Sequence, residues 1–414
     1  MGRVLVSFLG RPAQGRYQST VYELDGQALP GATFALAVLP AIRPDRLVFL
    51  GTEGSGWDIL PLAGSGLDLP ERVAAAVQQE AMTAALLKEL EPAVAAALNI
   101  PVSLGLIRPG RDVEEQIGIL EFIDGALRKA GFLDASHEVI LDVTHGFRHL
   151  PLLGVLSAWY LQQVRHLQIG AVYYGAFEMR RDGRTPVLNL LGLLNLLQWV
   201  NALARFEESA NPGVFVPLLQ DLPEADALAE GAFRERIHDI PGAVEQLKRF
   251  GEANAELSLP HAGSLFTDAF RERLQWAEAR SYAHRHRLLA EHFRKSGDYL
   301  RATLYLREAF VSWLTLQDGG DPARREDREK SRKAFEKRYP APPKDVVDTP
   351  DTAMWEYWLL TNLRNTLAHS AESDWPWVRE RLTSRERFQE TLDALFAWEA
   401  EQTGGPGPEQ EARA

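Results

Sequence analysis

Arg364, Asn365 and His369 fall together in "LRNTLAHS", Leu363 to Ser370, a segment otherwise built from small and apolar residues. A permanently charged arginine suits the oxygens of a phosphate in its transition state. Histidine titrates near neutrality and can move protons. Asparagine can orient either group or the phosphate. Together they are a catalytic arginine and histidine that could act on a phosphodiester. The plain alternative is a helix end facing solvent. At about 100° per residue Asn365 and His369 share a helix face, while Arg364 and His369 stand roughly 140° apart, so the spacing predicts a helix end or a bend. Ser370, Ser373 and Asp374 are capping or turn residues, and Pro376 can open another helix. "MWEYWLLTNL" just before supplies bulk to pack the helix into a core or against a symmetry mate.

A second group of reactive residues follows apolar runs in the first half. "LGRPAQGRY" (Leu9 to Tyr17) offers Gly10 and Gly15 for close backbone approach and Arg11 and Arg16 for phosphate. "GTEGSGWD" begins with Gly51, Thr52 and Glu53, and "DVTHGFRHLP" carries Thr144, His145, Gly146 and Arg148. Glycines with backbone amides at a helix start make an anion site, so this rim suits a phosphorylated or nucleotide ligand. None of the loops is a GxGxxG or Walker fingerprint, which argues against a nicotinamide enzyme or a P-loop ATPase. His145 and His149 are four apart, but no acid stands between them in an HExxH pattern and Gly146 favours a turn, so a metal pair is the minor reading. A capped helix start explains Asp142 or Thr144 but not the whole Thr-His-Gly-Phe-Arg cluster.

The elements that must position these groups follow from periodicity. "RVLVSFLG", "DRLVFLG", "IPVSLGLI" and "HEVILDVT" read as buried parallel strands. Between them, "PERVAAAVQQEAMTAALLKELEPAVAAAL" and "DVEEQIGILEFIDGALRKAG" read as helices. This alternation predicts a doubly wound α/β sheet, in which ligands bind beyond the carboxyl ends of the strands. "LQIGAVYYGAFE", the turn "MRRDGRTP" and "VLNLL" close it with a terminal hairpin. From Leu193 helices take over, giving an expected all-α domain over 193–404 after a sheet domain over 1–192. The tail 405–414 is expected to be disordered. "DGGDPARREDREKSRKAFEKRYPAPPKDVVDTP" (Asp318 to Pro350) reads as a charged insertion or solvated linker, with an RNA-contacting flap as the lesser option. In "SYAHRHRLLAEH", His284, His286 and His292 read as part of a solvated basic face, extended by Arg294, Lys295 and Arg301.

A chain of 414 residues can hold two cores. Without cysteine there are no disulfides, no thiolate chemistry and no cysteine-ligated zinc. A net charge of −12 speaks against a general nucleic-acid coat but leaves room for a local basic site. "VLNLLGLLNLLQWVNALA" (Val187 to Ala204) is interrupted by Asn189, Asn195, Gln198 and Asn201, which reads as a polar stripe on a buried helix, not a membrane span. The amino terminus is too strand-like for a signal peptide. A cytoplasmic location is expected.

The order of the "FLG" loop, the "GTEG" loop, "LDVTHGFRHLP" and "LLNLLQWVNALARFEESANPG" resembles the CARF-domain proteins of type III CRISPR systems. In particular it is similar to the CARF–HEPN ribonucleases, the Csx/Csm-type ancillary proteins, whose HEPN signature of Arg, a polar residue and a following His is matched by Arg364, Asn365 and His369. The resemblance implies a Rossmann-like CARF dimer, or a higher even oligomer, binding a cyclic oligoadenylate as allosteric activator. Cyclic tetraadenylate is expected over hexaadenylate. Carried over, the pocket would use Gly10, Arg11, Thr52, Glu53, Thr144, His145, Gly146 and Arg148. The implied activity is metal-independent cleavage of single-stranded RNA to a 2′,3′-cyclic phosphate in antiviral defence. The alternatives are a sensor or scaffold without nuclease activity, and a ring nuclease that opens its own ligand in the CARF domain. The first loop departs from the shorter Gly-Thr-Gly type common in that family.

Overall fold

The computed structural model describes residues 2–11, 17–64, 66, 68–132, 134–255, 259–343, 354–369 and 372–404. The chain divides into two compact units, Met1–Leu197 and Gln198–Ala414.

The first unit is built on eight strands: β1 (Gly2–Leu9), β2 (Thr20–Leu24), β3 (Gln27–Gly31), β4 (Arg46–Gly51), β5 (Val102–Leu106), β6 (His137–Asp142), β7 (Gln168–Gly175) and β8 (Arg184–Asn189). They lie in the order β3-β2-β8-β7-β6-β1-β4-β5. The five from β7 to β5 run parallel, and β8 turns back antiparallel on β7 as the expected hairpin. The β2–β3 hairpin, which the sequence pattern did not reveal, adds itself beyond β8. Both strands are short and β3 has no buried residue, so neither shows the apolar run by which the central strands announce themselves.

Along β1, Val4, Val6 and Phe8 enter one core with α4 (Val113–Lys129) and α5 (Leu150–Arg165), while Leu5 and Leu9 enter another with α1 (Phe34–Ile42), α2 (Asp68–Gln78) and α3 (Ala84–Leu98). Alternate side chains of a strand point to opposite faces, so a strand covered on both sides must be apolar throughout. The single helical pattern from Pro70 to Leu98 is two helices. The chain turns left-handed at Glu80, and Thr83 restarts it by accepting a hydrogen bond from Leu86 N at 3.2 Å.

The described residues of the second unit contain helices and no strand. α6 (Leu191–Ser209) runs through the division between units. The polar-striped run is therefore not one buried helix: Val187 to Asn189 belong to β8, Asn189 accepts from Leu191 N at 3.1 Å, and Leu193 and Val200 of α6 are exposed. No helix among the described residues is long and apolar enough to cross a membrane. The helices that follow are α7 (Ala225–Arg236), α8 (Ile240–Ala253), α9 (Thr267–Leu274), α10 (Tyr282–Lys295), α11 (Tyr299–Gln317), α12 (Arg325–Arg338), α13 (Trp355–His369), α14 (Pro376–Arg381) and α15 (Arg385–Thr403). Their core collects Phe215, Phe293, Tyr305, Phe310, Tyr357 and Trp377, all almost wholly buried.

Two further expectations are overturned. The charged run after Asp318 is not a linker throughout, because 325–338 form α12. Spacing by four lets Arg332 meet Glu336 and Lys333 meet Glu329, each at 2.6 Å, while Phe335 packs on Phe310 and Tyr357. Residues 344–353 of that run, and the tail 405–414, lie outside the described residues. The α10 histidines do not form a solvated basic face either. His286 is buried with Nδ1 3.1 Å from Ser312 Oγ, and His292 packs on Phe206 and Phe293. The neighbouring cations are paired: Arg287 with Glu399 and Glu291, Arg294 with Asp393, and Arg301 with Asp298. His284 alone of the three histidines is exposed.

Candidate functional site: a sheet-edge cleft and an arginine–histidine helix end

After the β2–β3 hairpin the chain runs to β4 and β5 on one side of β1 and then crosses to β6 and β7 on the other, so the order of the parallel strands reverses between β1 and β6. The crevice beyond such a reversal is where open α/β sheets bind ligands. A cleft of about 270 Å³ lies there, lined by Gly10, Arg11, Tyr17, Tyr22, Thr144, His145, Gly146, Tyr174, Phe177 and Glu178 among others. Both rim loops depend on glycine. A β-carbon on Gly10 would stand 2.5 Å from the nitrogen of Gly146, and Gly146 holds φ at 118°, a conformation other residues rarely adopt.

Asp142, the last residue of β6, anchors this loop while wholly buried. It accepts from Ser7 Oγ at 2.6 Å and from Thr144 N at 2.9 Å. Burial pushes its carboxyl above the usual range, against the opposing pull of His145, Ser7 and Thr144. Burial pushes His145 down, with Asp142 opposing. The His145 Nε2 accepts from Phe34 N at 3.3 Å, which places the ring hydrogen of the neutral form on Nδ1. Tyr17 stands edge-on to that ring at 5.0 Å and donates its hydroxyl to Gly10 O at 2.7 Å. Thr144 Oγ1 accepts from Gly175 N at 2.8 Å, and its hydroxyl also bonds to the Asp142 carboxyl, so the side chain ties β7 to the rim loop. The cleft thus offers neutral donors, three tyrosines and the Arg11 cation, which Glu80 holds at 2.6 Å.

Of the residues singled out in sequence, the fold brings Gly10, Arg11, Thr144, His145 and Gly146 to this cleft; Thr52, Glu53 and Arg148 are not among its lining. The "GTEG" loop curls on itself one strand away. Ser55 Oγ accepts from Thr52 N at 2.8 Å and donates to Leu9 O at 2.7 Å, and Gly56 N donates to Gly10 O at 3.0 Å. That loop therefore buttresses the first rim loop, and Glu53 is exposed. Arg148 is exposed, with its charge acting on the Tyr174 hydroxyl. Gly15 and Arg16 lie outside the described residues. His149 directs Nε2 to Pro109 O at 2.7 Å and stacks on Phe147, so the two loop histidines serve different partners. Tyr22, Tyr174, Phe177 and Glu178 were not legible as site residues. The β2 hairpin carries the first, and alternation along β7 was the available signal for Tyr174.

In the second unit, Tyr357, Leu359, Leu360 and Leu363 bury one side of α13. Arg364 is half-buried and donates from Nη1 to Asn365 Oδ1 at 2.9 Å, while its Nε is buried without a hydrogen-bond partner among the described residues. Burial, and then the like charge of Arg307 on α11, push its guanidinium below the ordinary range. Arg307 is itself held by Thr361 Oγ1, 3.3 Å from its Nε, and by Glu308 at 3.1 Å. His369 is the exposed last residue of α13, and Ser370 lies outside the described residues. The motif therefore sits at a helix end, and the helix continues to it unbent, leaving Arg364 and His369 roughly 140° apart around one axis.

Comparison with known proteins places this geometry in context. No family model matches the chain. The CRISPR-associated protein MJ1674 of Methanocaldococcus jannaschii is 23% identical over 228 residues, covering 50% of this chain and 35% of that protein. The chain thus spans about a third of that relative's length. Enterococcus italicus Csm6, solved bound to cyclic hexa-2′-fluoro-hexa-dAMP, aligns over 97% of this chain and 95% of its own with 12% identity and a TM-score of 0.41. Over half its length, then, this chain is similar to a CRISPR-associated protein.

Proposed function

We propose that this protein is a ribonuclease switched by a cyclic oligoadenylate, with a CARF-type ligand cleft at the β1/β6 reversal and a HEPN-type cutting centre at the end of α13. One observation carries the reading: the half-buried Arg364 is bonded to Asn365 one turn before the solvent-facing His369. A half-buried guanidinium with a like-charged neighbour is in want of an anion, and a phosphodiester oxygen satisfies it. The reaction is attack of the RNA 2′-oxygen on phosphorus with loss of the 5′-oxygen, giving a 2′,3′-cyclic phosphate and needing no metal. The splay of Arg364 and His369 around one straight helix favours a homodimer, in which two-fold pairing sets two copies of each around one cleft. The cleft's glycines, tyrosines and neutral donors suit a ligand with adenine faces and a phosphate rim. Similarity to a CRISPR-associated protein supports antiviral defence as the setting.

Incubating a fluorescent single-stranded RNA with the protein, EDTA and each cyclic oligoadenylate in turn tests the reading. Cleavage with one ring and not the others is the expected result. Absence of cleavage with every ring would leave a binding-only scaffold.

A further inference from the structure

The cleft of the first unit holds a carboxylate for which phosphate binding has no use. Gly10, Arg11, Thr144 and Gly146 line it from the loops after β1 and β6, while Tyr174, Phe177 and Glu178 line it from the end of β7. An acid in a cleft that takes phosphate repels the ligand's backbone. Its place there points to a different part of the ligand.

Local structure sets the acid over the tyrosine. β7 ends at Gly175, and one 3₁₀ turn follows over Phe177–Met179. Ala176 N donates to Pro186 O at 2.9 Å, Met179 N to Ala176 O at 2.9 Å, and Arg180 N to Phe177 O at 3.1 Å. The turn folds Glu178 back so that Tyr174 Oη donates to Glu178 Oε2 at 3.2 Å. Beside them the Arg180 guanidinium lies 4.5 Å over the Phe177 ring, which anchors that ring in the wall. Burial, then the Glu178 charge, push the Tyr174 hydroxyl above its ordinary range against the pull of Arg148, so it keeps its hydrogen at neutral pH.

The pair presents an acceptor and a donor side by side. An ionised carboxylate has about four lone-pair sites, and one tyrosine fills one of them. A phenol hydroxyl turns about its C–O bond, so its hydrogen can leave the carboxylate for a ligand atom. On its N7 edge adenine brings the N6 amine as donor beside N7 as acceptor, whereas guanine brings O6 and N7, both acceptors. Adenine complements the pair, and guanine sets O6 against the carboxylate. A ribose 2′-hydroxyl is the competing donor, and it is indifferent to the base.

We propose that Tyr174 and Glu178 are the base-reading residues of the cleft, Glu178 accepting from the adenine N6 amine and Tyr174 donating to N7, so that the site selects adenine over 6-oxo purines. The assignment rests on the cyclic-oligoadenylate reading above and deepens it: the loops after β1 and β6 hold phosphate, and the β7 wall reads the base.

Calorimetry on the full-length protein tests this with the adenylate ring, the same ring carrying hypoxanthine for adenine, and the same ring carrying 7-deazaadenine, each as tetra- and hexanucleotide. The wild type should bind the adenylate ring about 10- to 100-fold more tightly than the hypoxanthine ring. Glu178→Gln, at an exposed position and checked by a thermal melt, should narrow or reverse that ratio, because its amide can give a hydrogen to O6. Tyr174→Phe should bind the adenylate ring about 2- to 10-fold more weakly than the wild type does. The 7-deazaadenine ring, which lacks the acceptor, should cost the wild type that same factor and Tyr174→Phe nothing. A ratio of adenylate to hypoxanthine binding that Glu178→Gln leaves unchanged, with both rings still bound, overturns the assignment and leaves the ligand reading standing; it is the result expected if the acid meets a 2′-hydroxyl instead. If the wild type binds no cyclic oligoadenylate of either size, the ligand reading falls and this assignment with it.

Discussion

Ser7 and Asp142 lie opposite each other in the register of β1 and β6, and the serine hydroxyl donates to the wholly buried carboxylate at 2.6 Å. The contact ties together the two strands whose ends form the cleft. Ser7→Ala leaves a buried acceptor short of a partner and should cost about 1–3 kcal/mol in chemical denaturation. Because burial raises the folded-state pKa of Asp142, its contribution to stability is complete below the unfolded value of about 3.9 and is lost as pH rises through the folded value. Thermal melts across that window should show a flatter pH dependence for Asp142→Asn.

Gly10→Ala puts a β-carbon 2.5 Å from the backbone nitrogen of Gly146, an atom that cannot move without opening the rim. The variant should lose about 1–3 kcal/mol of stability. It should also weaken cyclic oligoadenylate binding in calorimetry, whereas Glu53→Gln, on the exposed buttress loop, should bind as the wild type does.

At the α13 end, Arg364→Lys keeps the charge but not the planar fork, and His369→Ala removes the proposed proton carrier. Each should reduce RNA cleavage by about 10²- to 10⁴-fold. Replacing the exposed His284 with alanine should leave the rate unchanged. Full activity in His369→Ala would remove that residue from the chemistry.

His286 and His292 are pushed down to about 3 and about 2, chiefly by burial and then by neighbouring cations. A depressed histidine contributes stability that is complete above the unfolded pKa of about 6.5 and lost as pH falls towards the folded value. The melting temperature should therefore drop between about pH 6.5 and about pH 5, opposite in sign to the Asp142 effect. His286→Gln should flatten that fall, read by melts in buffers of matched ionic strength.

The central strands and the β7–β8 hairpin were legible because burial on both faces forces unbroken apolar runs, and "DVTHGFRHLP" was legible because glycine beside polar residues after such a run has few structural uses. The β2–β3 hairpin was not, since a short edge strand carries little apolar signal. α12 was hidden by its charge, because a helix held by pairs four residues apart and a single phenylalanine has the composition of a linker.

By itself the sequence determined the strand and helix alternation, the glycine loops and the residue types able to handle RNA at Arg364, Asn365 and His369. Strand order was the tertiary structure's decision. It placed β1 beside β6 and β4 one strand further out, so Gly10 and Thr144 share a cleft while Thr52 props the loop beneath. Helix packing likewise set Tyr305 against His238 and Arg307 near Arg364, residues tens of positions apart whose proximity no local spacing encodes. Local pattern specifies which element a segment becomes; which side chains meet depends on how the elements bury one another's apolar faces.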